Sequence, residues 1–201
     1  MTIVLMIILA YLLGSIPTGL IIGKAFFKTD IREHGSGNLG GTNTFRVLGK
    51  PAGIIVSLID ILKGTAAVLL PLLPFFAETA IHPLILGAVA VIGHMYPIFA
   101  GFRGGKAVAT SAGVLLGYNW VFFVILLGLF FLLLKLTKMV SLTSILLAII
   151  AFLMAVGSHF LIEPDIALIL LITVLMIFIV YRHRANISRI RQGTEPKITW
   201  I

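Results

Sequence analysis

Apolar positions fall along the chain in long blocks, not in the alternating or three-to-four-residue rhythm of half-buried elements. The blocks cover 3–23, 52–77, 83–101, 107–134, 139–162 and 164–181. Polar intervals at 24–51, 78–82, 102–106, 135–138, Glu163–Asp165 and 182–201 separate them. About 20 apolar residues carry a helix across a bilayer, so each block reads as a membrane segment. The block 107–134 is long for one crossing even with tilt, and Gly117-Tyr118-Asn119-Trp120 inside it reads as an interfacial turn. A chain end of this kind, MTIVLMIILAYLLGSIPTG, lacks the basic region and cleavage site of a signal peptide and reads as a retained first span. The pattern predicts an all-α membrane protein, a polytopic bundle of seven transmembrane segments forming a single integral membrane domain over 1–201. The first half of the split block, 107–117, is short enough to be buried within the bundle.

Composition supports this picture. Of the 201 residues 60% are hydrophobic and 11% charged, with a mean hydropathy of +1.16. A soluble domain carries about 25% charged residues, and its surface could not hide this apolar excess. No length remains for a soluble catalytic domain, so any chemistry belongs to membrane helices and short loops. The absence of cysteine excludes disulfides, thiolate metal sites and cysteine nucleophiles.

Charge adds the topology. If the chain turns at 117–120, the basic intervals share one side and gather 14 of the 15 lysines and arginines. Glu78, Glu163 and Asp165 then lie on the opposite side. The positive-inside rule favours this arrangement, with the N-terminus outside and the C-terminus in the cytoplasm. A net charge of +8 suits anionic lipid or anionic ligands; with no soluble module, nucleic acid is not an expected partner. The fifteenth cation, Lys63, shares the second block with Asp60. Their i, i+3 spacing places both on one helix face, where each offsets the other's desolvation. They read as a structural ion pair near the cytoplasmic end of the helix, or with Lys63 lining an anion site.

Three polar segments carry candidate chemistry. In the first, Gly35, Gly37, Gly40 and Gly41 alternate with the donors Ser36, Asn38, Thr42 and Asn43 and are followed by Arg46. Glycines let backbone amides approach an anion, and arginine clamps phosphate with two parallel bonds. The literal G-x-G-x-x-G match at 35–40 lacks the preceding strand of a dinucleotide fold. In the second, Gly104, Gly105 and Lys106 open an apolar helix, combining free N–H groups, a helix dipole and a point charge. His94, shortly before it, reads as a hydrogen-bonded structural residue. In the third, His183 and Asn186 are i, i+3 on a basic helix leaving the membrane, and all three segments are expected on one membrane face. A fourth feature, Gly14-Ser15-Ile16-Pro17-Thr18-Gly19, implies a kinked first span whose freed backbone groups need partners. It borders the same site or packs closely against neighbouring helices. No metal-ligand spacing, G-x-S-x-G elbow or H-x-x-x-x-D acyltransferase signature is present.

The set GSGNLGGTNTFR, GHMYPIFAGFRGGKAVAT and HRANISRIRQGTE, in this order and with GSIPTG near the start, resembles the bacterial acyl-phosphate:glycerol-3-phosphate acyltransferases, the PlsY family. The resemblance implies a multi-pass enzyme of the bacterial cytoplasmic (inner) membrane with its active site at the cytoplasmic face. It implies transfer of a fatty acyl group from acyl phosphate to the sn-1 hydroxyl of glycerol 3-phosphate. Lysophosphatidic acid and phosphate, the products, begin phospholipid synthesis. The family pattern carries over onto Ser36, Arg46, Gly104, Gly105, Lys106, His183 and Asn186, with Glu195 in a structural role. Arg103 stands where the family often has Lys, and Ala107 where it often has Gly. The expected partners are the two phosphorylated substrates and the lipid bilayer, with no cofactor, metal or obligatory protein partner. Arg46 and Lys106 are expected to hold phosphates, the glycine loop with Ser36 or Asn38 to orient the donor, and His183 with Asn186 to orient glycerol 3-phosphate. A small organophosphate carrier is the competing class; it would place its polar site near the midplane and show inverted repeats.

Overall fold

The structure, a computed structural model, describes residues 1–77 and 79–199. Glu78, expected on the face opposite the cations, lies outside the described residues. Every regular element among the described residues is helical. The chain divides into two compact units, 1–120 and 121–201.

The first unit opens with α1 (Thr2–Ser15) and α2 (Thr18–Phe27). They are bent by 45° at a break. Pro17 dictates the break: it has no N–H to donate and disfavours helical backbone in the residue before it, and Ile16 is accordingly extended at φ −58°, ψ 112°. The polar interval 24–51, which reads from the sequence as one long loop, is partly helical. It contains the end of α2, a single 3₁₀ turn at Ile31–Glu33, and a short helix, α3 (Gly41–Leu48). Then come α4 (Lys50–Leu69), α5 (Pro83–Met95) and α6 (Val108–Tyr118). The second unit holds most of α7 (Trp120–Thr137), then α8 (Val140–Leu161), α9 (Ile166–Arg182) and α10 (Arg184–Arg191).

Among the described residues four helices are long and apolar enough to cross a membrane, and the number is up to six if each of two bent helix pairs is one span. The remaining expected segment corresponds to α6, only 11 residues long, which ends against α7 at Asn119. None of its residues is exposed, as the reading of a short buried segment required.

Helix α4 shows how the first unit is built for lipid. Its buried face carries Gly53, Val56, Asp60, Lys63, Gly64 and Ala67, while Ile54, Ile55, Leu58, Ile59 and Leu62 are exposed. Lipid tails are as apolar as leucine, so such helices associate through close backbone approach and polar contacts. A Cβ on Gly64 would meet the Thr110 carbonyl oxygen, and one on Gly113 the Ile61 carbonyl oxygen, so α4 and α6 interlock reciprocally. Gly14 against Ala90 and Gly93 against Tyr11 do the same for α1 and α5. The Thr65 hydroxyl adds an interhelical bond, donating to the Gly113 carbonyl at 2.9 Å.

Candidate active site

The first glycine-rich segment is organised around Asn43, which is 1% exposed. Its Nδ2 donates to the Ile31 and His34 carbonyls at 3.0 and 3.1 Å, and its Oδ1 accepts the Ser36 amide at 2.8 Å. Gly35, at φ +60°, leaves room for this oxygen, since a Cβ there would fall on Asn43 Oδ1. The Asn38 Oδ1 accepts the Gly40 amide at 2.9 Å, and the Gly37 amide donates to the His34 carbonyl at 3.1 Å. Two expectations change. Asn43 is framework, its amide group spent inside the loop. The amides of Ser36, Gly37 and Gly40 close turns of the loop and do not form an anion nest. The side chains that look outward are those of Ser36, Thr42 and Arg46, all on exposed residues. Lys63, Lys106, Ser36 and Arg46 all belong to the first unit.

An ion pair anchors the base of this loop. Asp30 caps the 3₁₀ turn by accepting the Arg32 amide at 3.0 Å, and it receives Arg32 Nε at 2.9 Å and Nη2 at 2.6 Å. Lys24 Nζ lies 3.4 Å away. The Arg32 side chain, above all, holds the Asp30 carboxyl far below the usual carboxylate range, and the carboxylate in turn raises Arg32.

The second glycine segment also departs from expectation. The Gly104 amide donates to the Met95 carbonyl at 3.2 Å and the Gly105 amide to the His94 carbonyl at 3.1 Å. Both glycines are buried. A Cβ on Gly104 would meet the His94 carbonyl oxygen, and one on Gly105 the His94 ring at Nε2. These glycines therefore fold the loop tightly onto the end of α5, and their N–H groups serve that turn. Lys106 follows, half-buried, and Ala107 takes the left-handed conformation at φ +65° to start α6 at Val108.

Beneath this loop lies the Asp60–Lys63 pair, at 2.8 Å. Its depth is a further correction: both residues sit mid-way along α4, not near a helix end, because the helix stops at Leu69 just before Pro71. Lys63 Nζ donates to the Ile16 carbonyl freed by the Pro17 break, at 3.0 Å. The Thr18 hydroxyl donates to Asp60 Oδ1 at 3.1 Å, and His94 Nδ1 lies 3.8 Å from the same oxygen. Kinked first span and second block thus share one polar cluster. It borders a pocket with room for about one water molecule, lined also by Gly104 and Gly105. Thr18 had no sequence signal beyond its place in GSIPTG.

In the second unit, His183 and Asn186 do not share one straight helix. The axis turns by 57° between α9 and α10, and His183 is the junction at φ −95°, ψ 6°. Its ring Nδ1 lies 2.7 Å from the Ile179 carbonyl, a local side-chain bond of the kind that competes with helix continuation. A carbonyl only accepts, so Nδ1 carries the proton and Nε2 is the basic nitrogen of the neutral ring. Glu195 ties the region together. It accepts Ser141 Oγ and Asn186 Nδ2 on Oε1, each at 2.6 Å, and Arg189 Nε on Oε2 at 2.7 Å. Burial pushes the Glu195 carboxyl upward, but these three hydrogen bonds and the Arg189 charge outweigh it and leave it below its ordinary value. Ser141, 54 residues away in sequence, carries no motif that could have announced it.

The family model for glycerol-3-phosphate acyltransferase matches residues 4–193. The chain belongs to the glycerol-3-phosphate acyltransferase family. It is 56% identical to the glycerol-3-phosphate acyltransferase of Listeria welshimeri, covering 98% of both chains. The Bacillus subtilis glycerol-3-phosphate acyltransferase is 54% identical and is matched end to end, 100% of each chain. Among solved structures, PlsY, an integral membrane glycerol 3-phosphate acyltransferase, in its glycerol 3-phosphate form superposes with a TM-score of 0.87 at 36% identity, covering 98% of this chain and 95% of that one. Its lysophosphatidic acid form gives a TM-score of 0.84. The acyltransferase is an integral membrane enzyme. Its family model takes in all three motif segments up to Gly193 and stops before Glu195.

Proposed function

We propose that this glycerol-3-phosphate acyltransferase takes its acyl group from acyl phosphate and places it on the sn-1 hydroxyl of glycerol 3-phosphate. The hydroxyl oxygen bonds to the acyl carbonyl carbon, the bond from that carbon to the phosphate oxygen breaks, and inorganic phosphate leaves. The hydroxyl proton passes to a base, either His183 Nε2 or a substrate phosphate. The observation that carries this reading is the sorting of the loops. Internal bonds hold the frameworks rigid, and Ser36, Thr42 and Arg46 are left as outward donors on the first. Lys106 supplies the cation of the second. An acyl phosphate is already activated, so positioning and charge stabilisation suffice.

In this reading Arg46 and Lys106 hold phosphates and Ser36, with Asn38 beside it, orients the donor. His183 and Asn186 orient glycerol 3-phosphate, with Glu195 fixing the Asn186 amide. Gly35, Gly37, Gly40, Gly104 and Gly105 act by shaping the two loops. The membrane arrangement we propose has seven segments, α6 being the short one, with the N-terminus outside and the active site at the cytoplasmic face of the inner membrane. The positive-inside placement of the cations supports it.

The test is purified enzyme with palmitoyl phosphate and glycerol 3-phosphate. Formation of 1-acyl lysophosphatidic acid and phosphate without acyl-CoA or acyl carrier protein is expected. Product formed only with acyl-CoA overturns the donor assignment. A pH–rate profile of His183→Gln separates the bases: retained activity with an unchanged acidic limb removes His183 as the base.

A further inference from the structure

The sequence places two charges in one membrane helix, and the structure sets them mid-way along it and shows what they touch. Asp60, Lys63 and His94 are 2%, 5% and 6% exposed. Charges at that depth are costly, and an isolated buried ion pair adds little stability that apolar side chains could not supply. These three do what apolar side chains cannot. Lys63 ties the freed Ile16 carbonyl at the α1–α2 break to Asp60. Asp60 receives Thr18 and faces His94 Nδ1. His94 then meets the glycine loop twice: its carbonyl accepts the Gly105 amide, and its Nε2 occupies the space where a Gly105 Cβ would stand. One residue beyond that contact is Lys106.

We propose that His94, held in its rotamer by the Asp60–Lys63 pair, is a positioning residue for the Gly104–Gly105 loop and thereby for the Lys106 ammonium. Asp60 and Lys63 are positioning residues one step further back. The inference rests on the reading of Lys106 as a phosphate holder. It makes the buried cluster part of the substrate-binding apparatus without direct contact to substrate.

The experiment compares kinetics of the detergent-purified enzyme across five variants: Lys106→Ala, His94→Ala, the charge-free pair Asp60→Leu with Lys63→Met, Gly105→Ala, and Gly105→Ala combined with His94→Ala. The paired change avoids stranding one buried charge, so it keeps folding separable from positioning; thermal unfolding is recorded alongside. Lys106→Ala identifies whose KM depends on the ammonium, glycerol 3-phosphate or palmitoyl phosphate. His94→Ala and the charge-free pair are expected to raise the KM of that same substrate about tenfold, with kcat changed by no more than about threefold. Gly105→Ala, which drives a methyl into the His94 ring, is expected to be rescued by His94→Ala to the level of His94→Ala alone. A KM unchanged in His94→Ala and in the charge-free pair, while Lys106→Ala raises it, overturns the positioning role and leaves the phosphate reading intact. Strict additivity of Gly105→Ala and His94→Ala overturns the contact on which it depends. If Lys106→Ala alters neither KM nor kcat, the phosphate reading falls and this inference with it.

Discussion

Residues 35–41 and 104–107 are both glycine-rich, and each accompanies a cationic side chain, Arg46 or Lys106, that we propose holds phosphate. Positive φ sets Gly35 and Gly37 of the first segment apart, although Gly35 and Gly41 also admit close neighbours. In the first segment Gly35 and Gly37 take positive φ, +60° and +68°, which lets the chain turn sharply and point side chains outward. In the second, Gly104 and Gly105 lie outside that region, and the only residue there at positive φ is Ala107. What matters in the second segment is the absence of a Cβ, because the end of α5 and the His94 ring occupy that space. In both, glycine amides are spent on holding the loop, those of Gly37 and Gly40 in the first and of Gly104 and Gly105 in the second, which supports the proposal that side chains are the ligand-directed groups. A glycine in a loop thus signals turning freedom, close approach or both, and composition cannot separate them.

The sharpest way to break this comparison is Gly105→Ala. If the glycine is needed for approach, the added methyl pushes the loop off His94, and a displacement near 1 Å at a binding group costs about 100-fold in kcat/KM. Activity within threefold of the parent enzyme would mean that the loop yields at no cost. Next in size is Asn43→Ala, which leaves the Ile31 and His34 carbonyls and the Ser36 amide without their partner. Stranding buried polar groups costs about 1–3 kcal/mol each. The expected outcome is a fall in thermal stability of roughly 2–4 kcal/mol, with the KM for a phosphorylated substrate rising as the loop loosens. An Asn43→Ala enzyme with an unaltered unfolding midpoint would show that the first loop is held by other means.

How much of this could be read from sequence follows from what each signal measures. Hydropathy reports lipid exposure, so the apolar blocks and the helix interruption at Asn119 stood out, as did the break before Pro17, which is written in backbone sterics. The i, i+3 spacing of Asp60 and Lys63 announced their pairing. Their depth was not legible, because the apolar block runs on to 77 while Pro71 stops α4 at Leu69. Helix α3 was missed for a different reason: its eight residues are too few to declare themselves. They hold their helix by packing on α4, where Gly41 meets Ser57 and Phe45 covers Gly53. The α9–α10 turn at His183 has neither Pro nor Gly to mark it, and the Ser141–Glu195 bond joins residues with no shared spacing. Of the site, the motif sequences were visible, but the division between framework and outward-facing side chains was a property of tertiary contacts.

Smaller effects sharpen the same contrast. The Asp30–Arg32 pair anchors only the first loop, and Asp30 is held far below its ordinary value of 3.8. A lowered carboxylate pKa gives stability that is fully present above the unfolded-state value and lost as pH falls through the folded one. Asp30→Asn is therefore expected to destabilise the enzyme by about 1 kcal/mol, the upper range for partly exposed pairs. That difference stays constant from neutral pH down to about 5 and closes as the pH falls below the ordinary aspartate range. Unfolding midpoints of both proteins from pH 3 to 8 would show it; a difference that widens toward acid has the wrong sign for this pair.

The smallest expected effect tests the second loop at Ala107. A left-handed conformation costs a non-glycine residue about 1–2 kcal/mol, so glycine at this position removes strain. Two losses oppose the gain. The Ala107 methyl is almost fully buried, at 1% exposed, and a buried methyl contributes about 0.8 kcal/mol. Glycine also frees the unfolded chain, at about 0.4–1 kcal/mol. The opposing terms cancel to within their spread, so Ala107→Gly is expected to leave the unfolding midpoint and the KM values close to those of the parent. The alanine departure from the family pattern is then tolerated because packing compensates for backbone strain. A clear stabilisation would show that the methyl contributes nothing to packing. A rise in KM would show that turning freedom at 107 moves Lys106, and the distinction between the two loops would then rest on Gly104 and Gly105 alone.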